Sequence, residues 1–216
     1  MDLNMIEITN VSVVGWKPAI RGARNPLNSW NRMDSVFGEN GELIVLGEND
    51  KSLLSRLANA GSDHGKFMRM IVVYLDINAP LYWWKEFDTY KVGTVANSCS
   101  TMHKIHAKEF CINDFSYDQL NSNSIMLLQD VVKLLNSYRD SFIETKNKDY
   151  WWQLIQLLPS SYEQKRTVML NYEVLKNMYK ARKNHKLDEW HDFCAWIETL
   201  PHSYLITGKK EEECNE

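Results

Sequence analysis

Between Ser124 and Phe142, apolar residues recur at positions 125, 128, 131, 132, 135 and 138. That is the spacing of one face of a long amphipathic helix, and such a face must be buried against other elements. The rest of the chain supplies both kinds. Ile6 to Val14 alternates like a strand ended by Gly15, and Phe67 to Leu75 is β-branched and aromatic enough for a buried strand. Asn49 or Asp50 can cap a helix that carries Leu53, Leu54 and Leu57 and closes at Gly61. Pro80 opens a helix that runs toward Lys91, and the small polar stretch from Gly93 to Ser100 reads as a loop, as does Arg21 to Pro26. Further helices are predicted over Tyr150–Leu158 (stopped by Pro159), about Asn171–Asn184, and Leu187–Leu200 (stopped by Pro201). About five helices and two or three strands place the chain in the α+β class. It is read as one domain over residues 1–207, with 208–216 as a solvated tail.

Charge and composition narrow the function. Lys and Arg number 25 against 28 Asp and Glu, a net charge of −3, which disfavours a general nucleic-acid-binding surface. The longest clean apolar run, Met70 to Leu75, is far too short to span a membrane, and Met1-Asp2-Leu3-Asn4 has no signal-peptide character. The expectation is a soluble cytoplasmic protein with no membrane and no nucleic-acid partner. None of its four cysteines forms a C-x-x-C pair, so zinc-ribbon and dithiol motifs are excluded and reduced thiols are expected. Nine glycines contain no G-x-G, which excludes the Rossmann fingerprint and the Walker loop. Any nucleotide or flavin must be held by side chains and helix ends.

Single residues leave alternatives open. His103 with His106, and His185 with His191, lack a third ligand at a usual metal spacing, so no metal site is assigned. Cys99, between Ser98 and Ser100, reads either as a nucleophile or as a small residue in a tight loop, because thiolate chemistry needs a base or cation that sequence cannot place. The pairs Trp83-Trp84 and Trp151-Trp152 read as core more readily than as stacking platforms.

Several segments taken together resemble one family. Asp63-His64, Phe67 and the stretch from Ala79-Pro80-Leu81-Tyr82 to Lys91-Val92-Gly93-Thr94 are similar to the central segment of the flavin-dependent thymidylate synthases. Asn171, Leu175, Asn177, Arg182, His185 and Glu189 fall at the spacing of that family's closing signature, and Ala23-Arg24 to Ser29 resembles its short Ala-Arg-x-Ser segment. The resemblance implies a central sheet with a long-helix bundle, a homotetramer with shared sites, and transfer of a one-carbon unit to C5 of dUMP or a related pyrimidine deoxynucleotide. It also implies FAD as cofactor, with NADPH and methylenetetrahydrofolate as co-substrates. By position, Arg182 matches the catalytic arginine that contacts the uracil. Glu86, Ser98 and Ser100 fall on the nucleotide side, Ser100 matching the serine near its phosphate. His64, Thr89, Tyr90, Lys91, Asn97, Asn171, Asn177 and His185 fall on the flavin side.

The departures share a sign. The family's Arg-His-Arg is Thr89-Tyr90-Lys91 here, and two further anion-binding arginines fall on Ile155 and Glu173. Each charge-assisted phosphate contact contributes about 1.5–3 kcal/mol, so flavin affinity is expected to be weakened or lost. Lys85, Lys91, Lys104, Arg21 and Arg24 are the cations at hand to compensate. Two classes of function remain: a divergent flavin-dependent enzyme of pyrimidine nucleotide biosynthesis, or a fold kept as a nucleotide-binding or protein-interaction module after catalytic decay.

Overall fold

The computed structural model describes residues 5–209. The first four residues, read above for signal character, lie outside that range, as do Cys214 and residues 210–216 of the expected tail.

The alternation near the N-terminus forms β1 (Glu7–Val14). Gly15 then turns the chain at φ +93°, and a Cβ there would lie 2.0 Å from the Met70 carbonyl oxygen, so only glycine fits. Helix α1 (Trp16–Arg24) follows where a turn is read from Arg21 onward. Trp16, Ala19 and Ile20 lie at three-and-four spacing and are buried, and that packing carries the helix through Gly22 to Arg24. Short strands β2 (Val36–Phe37) and β3 (Leu43–Val45) pair antiparallel. Helix α2 (Glu48–Asn59) buries Leu54 and Ala58. Its first turn is capped from a distance: the Asp34 carboxylate accepts from the backbone N–H groups of Asn49 and Asp50 at 2.9 and 3.0 Å.

The apolar run beginning at Phe67 is not all strand. Gly65–Met70 is a 3₁₀ segment, in which the adjacent Phe67 and Met68 are both buried. From Ile71 burial alternates through Val73, Leu75, Ile77 and Ala79, and β4 spans Val72–Pro80. Then come α3 (Leu81–Phe87), β5 (Val95–Ser98), α4 (Thr101–Lys104), α5 (Ser122–Thr145) and α6 (Lys148–Leu157). The chain continues with β6 (Glu163–Asn171), α7 (Tyr172–Arg182), α8 (Asp188–Glu198) and α9 (Tyr204–Thr207). β5 lies inside the stretch read as a loop. β6 has no counterpart in the sequence reading, because its first half, Glu163-Gln164-Lys165-Arg166, hides its strand character. The main sheet has the order β1-β4-β6-β5. The α+β class and the central sheet with a long helix are as the sequence implies.

The chain divides into two compact units. One comprises residues 1–7, 77–89 and 97–166, the other residues 8–76, 90–96 and 167–216. In the first, α5 packs on α6 around Ile105, Phe110, Phe115, Leu128, Val132, Leu135 and Leu154, and Trp83 and Trp84 are fully buried. In the second, α1, α7, α8 and the 3₁₀ segment enclose Trp16, Met68, Tyr172, Met178 and Trp190. At its C-terminal end Gly208 takes φ +72° to close α9, and Lys209 pairs with Glu198 at 2.7 Å. Among the described residues no helix is long and apolar enough to cross a membrane.

Candidate functional site

In the unit formed by residues 77–89 and 97–166, a polar cleft of about 490 Å³ is lined by Ser100, Lys104, Lys108, Asp114 and Lys165. That volume is in the range of small-molecule sites, about 300–1,000 Å³. Its wall is pinned by backbone and amide contacts. Cys99 N–H donates to the Lys165 carbonyl at 2.9 Å, and Gln164 Nε2 donates to the Cys99 carbonyl at 2.8 Å. Gln164, itself buried, is held in turn, since its Oε1 accepts from Arg166 Nε at 3.0 Å and its backbone carbonyl from Trp84 Nε1 at 2.9 Å. Arg166 lies 4.2 Å from the Trp84 ring centroid and donates to Asp88 at 2.8 Å. Ser100 Oγ accepts from His103 N–H at 3.0 Å and begins α4.

Across the cleft, Lys108 Nζ and the Asp114 carboxylate are 2.5 Å apart, and the other Asp114 oxygen accepts from Cys111 N–H at 2.8 Å. Burial alone would raise the Asp114 pKa. Lys108 and the Cys111 N–H more than offset it, holding the group below the ordinary carboxylate value. The ion pair pushes Lys108 up. Burial, with the Asp114 charge added, pushes the Tyr162 phenol up.

Of the site residues predicted on this unit, Ser100 lines the cleft, and so does Lys104. Glu86 is half-buried on α3, and Thr89 turns its hydroxyl back onto the Glu86 carbonyl at 2.7 Å. Asn97 and Ser98 are exposed on β5.

The remaining predicted residues lie on the other unit, around α7. Asn171 caps that helix, its Oδ1 accepting from Val174 N–H at 3.0 Å. Gly93 passes close by at φ +78°, where a Cβ would stand 3.0 Å from both Asn171 Nδ2 and Val174 Cγ2. At the other end of α7, Arg182 Nε donates to Tyr90 Oη at 2.9 Å. The Arg182 guanidinium carbon lies 5.5 Å from the Tyr90 centroid and 4.8 Å from that of Trp190, two cation–π contacts. His185 N–H donates to the Arg182 carbonyl at 2.9 Å, and His185 Nδ1 accepts from Leu187 N–H at 3.2 Å. A neutral His185 therefore carries its proton on Nε2. His64 and Lys91 are exposed. Asn177 is exposed on α7 and lines a cavity of about 100 Å³ with Gly61, Ser62 and Lys176. Arg24 is not available as a compensating cation, because it is 3% exposed and ion-paired at 2.5 Å with the fully buried Asp50.

Sequence reasoning missed Lys108, Lys165 and Asp114. Lys165 sits in a strand the sequence did not reveal, and Lys108 and Asp114 sit six residues apart in an irregular segment with no periodic signal.

No protein-family model and no curated protein matches the chain. Solved structures do. One is thymidylate synthase X from Helicobacter pylori with FAD and dUMP, at a TM-score of 0.67 and 17% identity over 97% of this chain and 98% of that one. A second structure, flavin-dependent thymidylate synthase from Helicobacter pylori complexed with FAD and dUMP, gives 0.64 and 18% over 97% and 100%. The chain has a flavin-dependent thymidylate synthase-like fold over 97% of its length.

Proposed function

We propose that this chain is a divergent flavin-dependent thymidylate synthase-like enzyme that transfers a one-carbon unit to C5 of a pyrimidine deoxynucleotide, dUMP or a relative. The reading takes residues 1–207 as one functional domain, acting in the cytoplasm as a homotetramer. The supporting observation is the likeness, over 97% of the chain, to structures whose own ligands are FAD and dUMP.

The residues divide into roles accordingly. Ser100 and Lys104 supply a hydroxyl and an ammonium for the nucleotide phosphate, with Glu86 and Ser98 on the same side. Arg182 donates to a pyrimidine carbonyl and favours the negative charge that develops there as C5 becomes nucleophilic. Its guanidinium is already held against Tyr90 and Trp190, so little ordering is needed on binding. On the cofactor side, His64, Asn97, Asn171, Asn177 and His185 offer neutral hydrogen-bonding groups, Thr89 and Tyr90 hydroxyls, and Lys91 a cation. That donor set fits a flavin ring and its sugar hydroxyls but brings only one cation to a diphosphate, so weak FAD binding follows. When bound, flavin supplies methylene carriage and hydride delivery, with NADPH and methylenetetrahydrofolate as co-substrates.

One observation favours the second reading, a decayed module. Asn171, Arg182 and His185 all have partners inside the fold, so their presence does not require a ligand. Calorimetry with dUMP and quenching of FAD fluorescence, followed by an assay for dTMP, separate the two. Binding of both ligands with turnover supports the enzyme. Intact protein that binds neither at millimolar concentration overturns it in favour of the module.

A further inference from the structure

The arginines that the resemblance leads one to look for are absent, yet three ammonium groups from three places in the chain meet in one cleft. Lys104 ends α4, Lys108 follows it, and Lys165 comes from β6, and all three line that cleft together with Ser100. We infer that these lysines, with Ser100, hold the phosphate of the nucleotide, and that Asp114 sets the charge the cleft accepts, admitting a monoester and refusing di- and triphosphates. This rests on the nucleotide reading above.

The charges argue for it. Against the three lysines stand two carboxylates, Asp114 and Glu163, leaving a single net positive charge. A phosphate monoester carries about −1.5 to −2 near neutral pH, which such a cleft nearly balances. A triphosphate carries about twice that charge, more than the single net positive charge of the cleft offsets, and the two carboxylates in the lining, Asp114 and Glu163, repel the excess. Asp114 cannot swing aside freely, because it is tied both to Lys108 at 2.5 Å and to Cys111 N–H at 2.8 Å. Glu163 is likewise tied, to Asn78 Nδ2 at 2.7 Å.

Calorimetry on the full chain tests this with four probes: dUMP, dUTP, inorganic phosphate and inorganic tripolyphosphate. The wild type is expected to prefer dUMP to dUTP, and phosphate to tripolyphosphate. Lys104→Gln and Lys165→Gln should each weaken dUMP and phosphate about tenfold, the loss of one charge-assisted contact. Asp114→Asn keeps an acceptor for Cys111 N–H and should tighten dUTP and tripolyphosphate about tenfold, with circular dichroism unchanged. Unchanged dUMP affinity in the lysine variants, or unchanged dUTP affinity in Asp114→Asn, overturns the inference while leaving the nucleotide reading intact. If dUMP does not bind but the inorganic probes keep their dependence on Lys165 and Asp114, the charge filter stands and the nucleotide reading falls. Binding of neither inorganic probe nor dUMP overturns both.

Discussion

Replacing Arg182 by Ala removes a side chain whose cost can be built up from its contacts. Its Nε donates to Tyr90 Oη at 2.9 Å, and hydrogen bonds to charged groups are worth about 1.5–3 kcal/mol. Its guanidinium also lies over Tyr90 and Trp190, at 5.5 and 4.8 Å, and each such contact is worth about 0.5–2 kcal/mol according to its exposure. Arg182 is half-buried, so values toward the low end apply, and about 2–4 kcal/mol of stability is at stake. For a chain of this size that lowers Tm by about 5–15 °C. A bare helix-dipole contact would be worth only a few tenths of a kcal/mol. Tyr90→Phe isolates one part, keeping the ring and deleting the hydroxyl, for about 1.5 kcal/mol, the low end for a bond to a charged group. The double variant should then lose less than the sum of the singles, because both delete the same bond. Urea denaturation of the four proteins measures this. A loss below about 0.5 kcal/mol in Arg182→Ala, the ordinary range for a surface substitution, refutes the Arg182–Tyr90–Trp190 cluster as an energetic unit. dUMP calorimetry on Tyr90→Phe, which stays folded, then reports whether a well-placed guanidinium matters to the nucleotide.

Two other perturbations follow from buried polar contacts. Asp50→Ala strands the Arg24 guanidinium, 3% exposed, and should cost about 3–5 kcal/mol by denaturant unfolding, with Asp50→Asn costing less. Burial and the Glu198 carboxylate push the Tyr179 phenol up to about 12, so its contribution is complete below the ordinary tyrosine value near 10 and is lost as pH rises toward 12. Unfolding midpoints at pH 9 and pH 11 should therefore differ more in the wild type than in Tyr179→Phe.

Periodicity made the long helices legible. The stripe from position 125 to 138 predicted α5 within a few residues at each end, and Pro159 and Pro201 marked the ends of α6 and α8. Short-range patterns misled where tertiary packing decides. Phe67 and Met68 look like strand, but they lie in a 3₁₀ segment that packs against α1, α2 and α7. The cap of α2 is Asp34, fifteen residues away from the Asn49 amide it serves, beyond any local capping signal. The cleft was half legible: Ser100 and Lys104 were singled out, while Lys108, Asp114 and Lys165 became neighbours only through β6 and an irregular loop.

The closing signature divides in a way that supplies its own control. Asn171 caps α7, Leu175 is wholly buried and Arg182 lies over two rings, so folding alone accounts for these identities. Asn177 differs, being exposed in the middle of α7 on the rim of a cavity of about 100 Å³. Asparagine at an exposed helix position costs up to about 0.7 kcal/mol relative to alanine, so stability gives no reason to place it there. Asn177→Ala should leave the urea midpoint unchanged or slightly raised. If the residue serves a flavin, quenching of FAD fluorescence should require about five- to tenfold more cofactor, the loss of one hydrogen bond of about 1–1.4 kcal/mol. Equal titrations for both proteins would remove Asn177 from the cofactor side and leave the signature as a record of how α7 packs.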